Sequence, residues 1–507
     1  MRLSRRTRGR DSRRRGGLPA VSMAARTLGF RCLAAIAFAA APARLPAQTT
    51  APPATAAAPL AEQLARRVAD YEAQSKAATG VCVVALPSGR QEAAIRERQL
   101  FTPASNQKLL TAAFALARLG EDFRFETVVW ALPEGELLVA GDYDPTLGDP
   151  VLAAEENRTI YAELDRWAAA VKAAGITKLN GDIVLCGSND RDLRHPDWPQ
   201  NQHDRWYAAP AGRLNFHNNC LDVTFEVAAG TPAAKVLPAS RFIRVVSDVR
   251  LDSRHLWSLR AADDLSTVTV RGTVRRATTD PLSVAVDRPG LLLGRVLADR
   301  LVAAGVELAG GMRQITPAAA ATAKGQALCR TATPLAAVLR RANKRSLNMA
   351  AECAFLRAGD GTWDGSARLM TETLAETYEL PAGSIAIRDG GGLSRHNAVT
   401  PQALTKVLVG VLRQKGAEAF LASLPAAGVD GSLADRLAEP RTRGRVLAKT
   451  GYIYGASCLS GYVLDGQGTP ALAFAVLVRG VPAGGLGQAK ALQDDLCRTM
   501  VDWLDAR

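Results

Sequence analysis

The 507-residue sequence lacks any apolar run of the roughly 18 to 20 residues that a membrane-spanning helix needs, which excludes a polytopic membrane protein. Aromatic side chains are scarce, at 5%, whereas charged residues make up 22% and hydrophobic residues 48%. This near-average balance, with 43 Gly and 26 Pro, excludes a collagen-like, coiled-coil or wholly disordered chain. At about 150 residues per domain, the length predicts roughly three domains with enough apolar material for real cores.

Motifs for metal binding, phosphate binding and a Ser-His-Asp triad are missing as well. No Cys-x-x-Cys or His-Glu-x-x-His occurs and the five histidines are dispersed, so no zinc site is predicted. No Gly-x-Ser-x-Gly nucleophile turn occurs, which argues against such a triad. A phosphate-binding loop is excluded because Ala448 precedes Lys449 where that motif demands Gly.

Basic charge is concentrated at the start of the chain. Residues 1–47 contain 11 Arg and one Asp, whereas the remainder carries 52 basic and 48 acidic residues. The net charge of +14 therefore belongs mostly to that segment, and the rest of the chain is not predicted to bind nucleic acid.

Residues 1–47 have the pattern of a secretory signal peptide, with an Arg-rich start, a short apolar stretch and small residues before the end. Cleavage is predicted after Ala47, with Ala43 as the alternative site and Met23 as an alternative start. A basic disordered arm is the competing interpretation. Residues 48–59 are rich in Ala, Thr and Pro, which predicts a disordered linker.

Export implies an oxidising compartment, yet the seven cysteines beyond Cys32 are an odd number without metal-ligand spacing. Buried single thiols are the default interpretation for most of them. One disulfide stays open, and its pairing cannot be read from the sequence.

The two ends of the chain predict parts of one sheet. Apolar residues at helical spacing predict helices over 60–77 and 488–505. Five strands are predicted beside them, at 81–86, 93–98, 445–452, 458–464 and 471–478. These elements indicate one antiparallel sheet shared by both termini. Residues 126–327 contain many short strand-like runs, which indicates an insertion.

Ser105 and Lys108 lie one turn apart at the start of an apolar helix predicted to run through 109–119. A serine and a lysine so placed can act as nucleophile and general base, provided that burial or a neighbouring cation lowers the pKa of the lysine. Ser-x-x-Lys occurs once in the sequence. Taken alone, an ordinary helix cap beside a surface lysine explains it equally well.

Two more short motifs give the first one its meaning. Ser346-Leu347-Asn348 falls between two predicted helices, where the serine can relay a proton and the asparagine can orient a substrate backbone. Lys449-Thr450-Gly451 ends a predicted strand and offers a cation, a hydroxyl and a glycine that substrate can approach closely. In this order and on these elements, the three motifs are typical of penicillin-recognising serine enzymes.

With these motifs, the sequence resembles over 60–507 the peptidase S13 family, the D-alanyl-D-alanine carboxypeptidase/endopeptidases of the penicillin-binding protein 4 (DacB) type. The resemblance extends to Gly141–Leu147, Tyr207–Asn215 and Asp389–Arg395, and further to Asn397, Thr400 and Pro401. One departure is Gly391, which stands where the family usually has Ser. We expect this glycine to loosen a structural loop near the site.

The resemblance implies a role for each motif residue. Ser105 would be the acylated nucleophile, Lys108 its general base and Ser346 the proton-relay serine. Asn348 would orient the substrate. Lys449 would supply positive potential for the terminal carboxylate and help to lower the pKa of Lys108.

Three neighbours of Lys449 would complete the site. Thr450 would hydrogen-bond the substrate carboxylate, and Gly451 would let the substrate backbone approach the strand. The backbone N–H groups of Ser105 and Tyr452 would form the oxyanion hole. The aromatic stretch 198–207 has two interpretations: packing within the insertion, which is favoured, and contact with glycan or peptide stems. Arg388, Asp389 and His396 are expected to be structural.

The fold implied by the resemblance is α/β (α+β): a penicillin-binding-protein/β-lactamase-like catalytic domain with an antiparallel sheet flanked by helices, interrupted by a large insertion of two smaller β-rich domains. The implied catalytic domain is 60–125 with 328–507. The first inserted domain would be 126–149 with 222–327, and the second 150–221.

The implied function is a periplasmic, serine-type D-Ala-D-Ala carboxypeptidase that acts on peptidoglycan stem peptides, with DD-endopeptidase activity on cross-links left open. It implies no cofactor, no nucleic-acid partner and no stable transmembrane anchor, and β-lactams would trap the same serine. A β-lactamase and a non-catalytic wall-binding scaffold are the alternatives. The long insertion argues against the first, and the intact Ser105 and Lys108 argue against the second.

Overall fold

The computed structural model describes residues 58–86, 88–187, 193–322 and 324–507. The signal peptide predicted for 1–47 lies outside these residues, as does the predicted linker except for Ala58 and Pro59. The α-helices of the described ranges are α1 (Leu60–Ser75), α2 (Gln107–Leu119), α3 (Pro150–Glu155), α4 (Ala162–Ala173), α5 (Pro289–Ala303), α6 (Pro317–Ala321), α7 (Leu335–Lys344), α8 (Asn348–Ala358), α9 (Trp363–Tyr378), α10 (Pro401–Val411), α11 (Ala417–Ser423) and α12 (Leu486–Asp505).

The strands of the same ranges are β1 (Ala78–Ala85), β2 (Gln91–Ile95), β3 (Arg124–Ala131), β4 (Leu137–Gly141), β5 (Lys178–Leu179), β6 (Ile183–Cys186), β7 (Cys220–Ala228), β8 (Thr231–Leu237), β9 (Arg244–Leu251), β10 (Leu256–Ala261), β11 (Thr267–Val274), β12 (Thr278–Ala285), β13 (Glu307–Leu308), β14 (Met312–Ile315), β15 (Gln326–Pro334), β16 (Ile385–Ala386), β17 (Ala398–Val399), β18 (Val446–Ile453), β19 (Ala456–Leu464) and β20 (Pro470–Arg479).

Both ends of the described chain build one five-stranded antiparallel sheet, in the order β18-β19-β20-β1-β2. Successive side chains of a strand point to opposite faces of the sheet, and in β20 the side chains on both faces are buried. Leu472, Phe474 and Val476 pack into one core with α1 and α12, whereas Ala473 and Ala475 pack into another with α2, α8 and α10. The predicted shared sheet is therefore confirmed.

The predicted elements of this sheet differ from the observed ones mainly at their ends. Helix α1 buries Leu60, Leu64, Val68 and Tyr71, the residues whose spacing predicted it. It ends two residues earlier than predicted, because Lys76 adopts the left-handed conformation with φ 57° and caps the helix through its N–H.

The described residues of 124–334 lie between α2 and α7, where the sequence predicts an insertion at 126–327. The chain leaves through β3 and returns through β15, and these two strands pair with each other in an antiparallel ladder. They belong to a mixed sheet in the order β14-β6-β4-β3-β15, and two three-stranded sheets follow, β12-β7-β8 and β10-β11-β9. Apolar side chains of all three sheets and of α4 and α5 share one core. The boundaries at 149 and 221 stay a prediction.

Two questions left by the sequence concern thiols and membranes. All seven cysteines in the described ranges are free and six of them are buried. The one disulfide that the sequence allowed is therefore not formed among these residues. No helix among the described residues combines the length and apolar character needed to cross a bilayer.

Candidate active site

The three sequence motifs meet at one cavity of about 620 Å³. Its lining includes Ser105, Ser346, Asn348, Thr450 and Gly451, which come from the start of α2, the α7–α8 connection and the edge strand β18. The exposed Tyr452 lines it as well. The structure thus brings together every candidate residue at or immediately behind one surface.

Ser105 lies in a single 3₁₀ turn, Ala104–Asn106, directly before α2. Ala104 has φ 47°, in the left-handed region where a non-glycine residue costs about 1–2 kcal/mol. Strand β18 holds the turn, because the Asn106 Nδ2 donates to the Lys449 carbonyl at 2.7 Å. A Cβ at Gly451 would lie 2.8 Å from the Pro103 carbonyl oxygen, so glycine permits this close approach. Strained backbone held by its surroundings is common at functional sites.

The buried Lys108 has three hydrogen-bond partners. Its Nζ lies 3.0 Å from Ser105 Oγ, 2.6 Å from Asn348 Oδ1 and 2.6 Å from the Gly391 carbonyl oxygen. Amide and carbonyl oxygens only accept hydrogen bonds. A neutral amine would therefore direct its two N–H bonds to Asn348 and Gly391, and its lone pair would face the Ser105 hydroxyl. This geometry suits a base that takes the serine proton.

Burial makes the neutral form of Lys108 accessible. It lowers the pKa of Lys108 to about 8, although the carboxylates of Glu352 and Asp389 act in the opposite direction. Burial is the largest cause of this shift.

Lys449 is also fully buried, and its Nζ contacts Ser346 Oγ at 2.9 Å and the Thr450 carbonyl at 2.8 Å. Burial, together with Lys108, lowers the pKa of Lys449 well below its ordinary value. Among the described residues no carboxylate lies within 4.0 Å of this amine in an ion pair. A substrate carboxylate would supply that partner and favour the charged form. The adjacent Thr450 hydroxyl, 2.8 Å from Ser432 Oγ, offers a second contact.

Glu352 is a site residue that the sequence reasoning missed. It is fully buried on α8 and accepts hydrogen bonds from the N–H groups of Gly390 and Gly391, both at 2.7 Å. Burial, followed by the charge of Asp389, raises the pKa of Glu352. Because the Gly391 carbonyl accepts from Lys108, Glu352 fixes the peptide segment that orients the amine. The sequence feature that could have indicated Glu352 is its position four residues after Asn348, which places a single carboxylate on the same face of the helix.

The loop around Gly391 is held on both sides. The N–H of Gly391 bonds Glu352 and its carbonyl bonds Lys108, while Asp389 accepts from Gly392 N, Ser394 N and Asn397 Nδ2. The loop is therefore anchored by hydrogen bonds at Gly391 itself, where the sequence predicts a looser loop. Asp389 contacts loop groups rather than the cavity, as expected of a structural residue.

The insertion contributes one wall of the site. The Asn348 Nδ2 donates to the Tyr207 carbonyl at 2.6 Å, and the buried Trp198 Nε1 donates to Asp389 Oδ2 at 2.9 Å. Ser394 Oγ donates to Asp197 at 2.7 Å. Trp198 is therefore buried, but against Asp389 and the ring of Trp363 outside the insertion rather than within it as expected, whereas the exposed Trp206 of the same stretch lines the cavity.

The arrangement is suited to acyl transfer, with a serine beside a buried amine and a second buried amine hydrogen-bonded to Ser346. In the ranges that the structure describes, no cluster of three or more His, Cys, Asp or Glu side chains is placed to hold a metal ion.

Comparisons with known proteins agree with this chemistry. The family model for the D-Ala-D-Ala carboxypeptidase 3 (S13) family matches residues 60–505. The chain is 31% identical over 432 residues to a D-alanyl-D-alanine carboxypeptidase of an Actinomadura species, covering 80% of this chain and 78% of that protein. It is 29% identical over 408 residues to the D-alanyl-D-alanine carboxypeptidase DacB of Haemophilus influenzae, covering 76% and 81%.

A solved structure shares the fold. The crystal structure of penicillin binding protein 4 (dacB) from Haemophilus influenzae matches with a TM-score of 0.69 at 24% identity, covering 86% of this chain and 99% of that one. The expected penicillin-binding fold with additional domains is therefore confirmed.

Proposed function

Because the chain belongs to the D-Ala-D-Ala carboxypeptidase 3 (S13) family, we propose that it is a serine-type D-Ala-D-Ala carboxypeptidase that acts on peptidoglycan stem peptides through an acyl-enzyme on Ser105. One observation carries the assignment of the nucleophile. When neutral, Lys108 gives its N–H bonds to two oxygens that only accept, so its lone pair is left for the Ser105 hydroxyl.

Substrate binding places the terminal D-alanine carboxylate at the Lys449 ammonium and the Thr450 hydroxyl. Bringing an anion to Lys449 raises the pKa of that amine again, so the charge appears when substrate arrives. Asn348 orients the peptide, and Gly451 on the edge strand lets its backbone approach.

In acylation, Ser105 Oγ attacks the carbonyl carbon of the penultimate D-alanine and its proton passes to Lys108 Nζ. The backbone N–H groups of Ser105 and Tyr452 hold the resulting oxyanion. The C–N bond then breaks, and the proton held by Lys108 passes to the departing D-alanine amine through the Ser346 hydroxyl, which is hydrogen-bonded to Lys449, so that Lys108 is neutral again. An ester on Ser105 remains.

In deacylation, water attacks the ester carbonyl and gives its proton to Lys108, which restores the Ser105 hydroxyl and releases the shortened peptide. The same steps would cleave a cross-link if the departing amine belonged to a second stem peptide, which is the DD-endopeptidase activity. A β-lactam would acylate Ser105 in the same way and act as an inhibitor.

We place this activity in the periplasm, after export by a signal peptide at residues 1–47. The Arg-rich and apolar pattern of that segment supports the placement. Fractionation of cells that produce the full-length chain tests it: a processed protein in the periplasmic fraction is expected, and an unprocessed cytoplasmic protein would refute it.

The decisive experiment is the intact mass of the purified protein after brief exposure to a penicillin, with peptide mapping and an assay of D-alanine release. One drug molecule on Ser105, D-alanine release from a stem pentapeptide and loss of both in Ser105→Ala are expected. Hydrolysed drug without an adduct would instead favour a β-lactamase. Intact drug, no adduct and no D-alanine would favour a wall-binding scaffold.

A further inference from the structure

A second groove, of about 960 Å³, adjoins the catalytic cavity. Gln202, Trp206 and Tyr207 line both of them, so the two form one continuous surface. The other side of the second groove is formed by Leu256 at the start of β10 and Leu282 in β12. None of the catalytic motif residues lines it.

Large apolar side chains are exposed along this groove. Leu256 is 64% exposed, Leu282 46% and Trp206 44%. Grouped in one groove, these side chains are available for contact with a ligand. Trp257 also lines the groove, and its ring is held edge-on by Phe225 with the centroids 5.2 Å apart.

The polar groups of the groove are uncharged in sum. Amide and hydroxyl side chains lie among the apolar ones, from Asn201, Gln202, Ser258 and Ser283. Apart from His255, whose Nε2 accepts from Trp257 Nε1 at 3.2 Å, the lining contains one acidic and one basic side chain, Asp204 and Arg205, which pair with each other at 3.4 Å. A nucleic acid or an anionic membrane would require a basic surface.

We propose that this surface, the glycan groove, binds the glycan chain of peptidoglycan next to the stem peptide under attack; the inference rests on the function proposed above. The occupant must be a neutral polymer with apolar faces and with hydroxyl and amide groups at its edges. A chain of N-acetylated sugars has this chemistry, and rigid aromatic side chains with nearby amides and hydroxyls are complementary to it.

The reach of the substrate agrees with the position of the groove. An extended peptide spans about 3.3–3.6 Å per residue, so four stem residues place the sugar up to roughly 14 Å from the scissile bond. This reach allows the sugar of the same substrate to lie outside the catalytic cavity. The wall between the two sites is fixed, because the Ala285 N–H donates to the Asp204 carbonyl at 3.0 Å and the Tyr207 carbonyl accepts from Asn348 at 2.6 Å.

The test compares two substrates that differ only in the sugar. One is a short peptidoglycan glycan chain that carries stem pentapeptides, and the other is the same pentapeptide with an N-acetyl cap. D-Alanine release gives kcat and KM for each. In Leu256→Asp and in Leu282→Asp, we expect KM for the glycan-linked substrate to rise about tenfold with kcat unchanged. Both constants for the capped peptide should stay at their wild-type values, which also shows that the variants are folded.

Leu251→Asp is the matched control. Leu251 is 43% exposed on β9, the opposite edge strand of the sheet that contains β10, and it does not line the glycan groove. This variant should behave as wild type with both substrates. A peptide-free glycan chain should quench the tryptophan fluorescence of the wild-type protein and competitively inhibit cleavage of the glycan-linked substrate only.

Unchanged KM for the glycan-linked substrate in both groove variants would overturn the inference, as would an equal loss with the capped peptide. Failure of the proposed function looks different: the wild-type protein would then release D-alanine from neither substrate.

Discussion

Asn348 donates a hydrogen bond from Nδ2 to the backbone carbonyl of Tyr207, with 2.6 Å between the two atoms. Since a carbonyl only accepts, this contact decides which end of the amide points where, and Oδ1 is left to accept from Lys108 at 2.6 Å. Tyr207 belongs to the insertion, whereas Asn348 belongs to one of the three sequence motifs. The insertion therefore helps to orient the proposed general base, in addition to forming a wall of the cavity.

The first prediction concerns the pH dependence of acylation. Lys108 must be neutral to take the Ser105 proton, and its pKa is lowered to about 8. The rate of acylation should rise with pH and level off above about 8, with a decrease of about tenfold per pH unit below that value. Measuring the second-order rate with a fluorescent penicillin between pH 6 and 10 checks this. A midpoint near the ordinary lysine pKa would contradict it.

A charge placed at Asn348 should move that midpoint. In Asn348→Asp, an ionised carboxylate would replace an amide oxygen 2.6 Å from the amine and favour the protonated lysine. The rise in rate should shift to higher pH, and acylation at pH 8 should fall at least about tenfold. Asn348→Ala is the comparison, because it removes the contact without adding charge. A similar upward shift in the alanine variant would show that the charge is not the cause.

Glu352→Gln tests the anchor of the Gly391 loop. The two carboxylate oxygens of Glu352 accept from the N–H groups of Gly390 and Gly391, whereas a glutamine has only one oxygen that can accept. The glutamine NH2 group would therefore face one of these two N–H groups, which would lose its acceptor. We expect unfolding to become easier by about 1–3 kcal/mol, with slower acylation of Ser105. Denaturant unfolding and penicillin acylation measure the two effects.

The control for this variant is Glu372→Gln. Glu372 is exposed on α9 and pairs with Arg368 at 3.2 Å within the same helix. Its loss should change the free energy of unfolding by less than about 0.5 kcal/mol. Equal effects of the two substitutions would show that the buried carboxylate has no special role.

The contrast between Ser105 and the Tyr207 carbonyl shows which features of the site could be predicted from the sequence and which could not. Ser105, Lys108 and the other motif residues were found because each motif is short and its order along the chain is informative. The sheet was found because period-2 and period-3.6 patterns are local. The Tyr207 carbonyl is a backbone atom, and its partner is 141 residues away, so no local pattern encodes it.

The next prediction concerns Gly392, whose φ of 83° and position both require glycine. A Cβ there would lie 1.9 Å from the carbonyl oxygen of Ala104, the residue before Ser105. Gly392→Ala must therefore displace the Ser105 turn, and acylation should fall by at least about 100-fold. Gly383→Ala is matched to it, because Gly383 has φ 73° but open space at the Cβ. Gly383→Ala should lower the free energy of unfolding only by the backbone strain of about 1–2 kcal/mol and should keep the normal acylation rate. Comparable acylation rates in the two variants would contradict the prediction.

The last prediction concerns the ion pair between Asp149 and Arg341, which ties α3 of the insertion to α7. Asp149 Oδ2 lies 2.5 Å from Arg341 Nε, and both side chains are almost completely buried. Asp149→Asn keeps the size and the helix cap but leaves a buried cation without its partner, which should cost about 3–5 kcal/mol of unfolding free energy. The same helices carry an exposed pair, Glu155 and Arg340 at 3.6 Å, so Glu155→Gln should cost at most about 1 kcal/mol. Chemical denaturation of both variants measures the difference, and similar costs would mean that burial does not strengthen this link between the insertion and the catalytic elements.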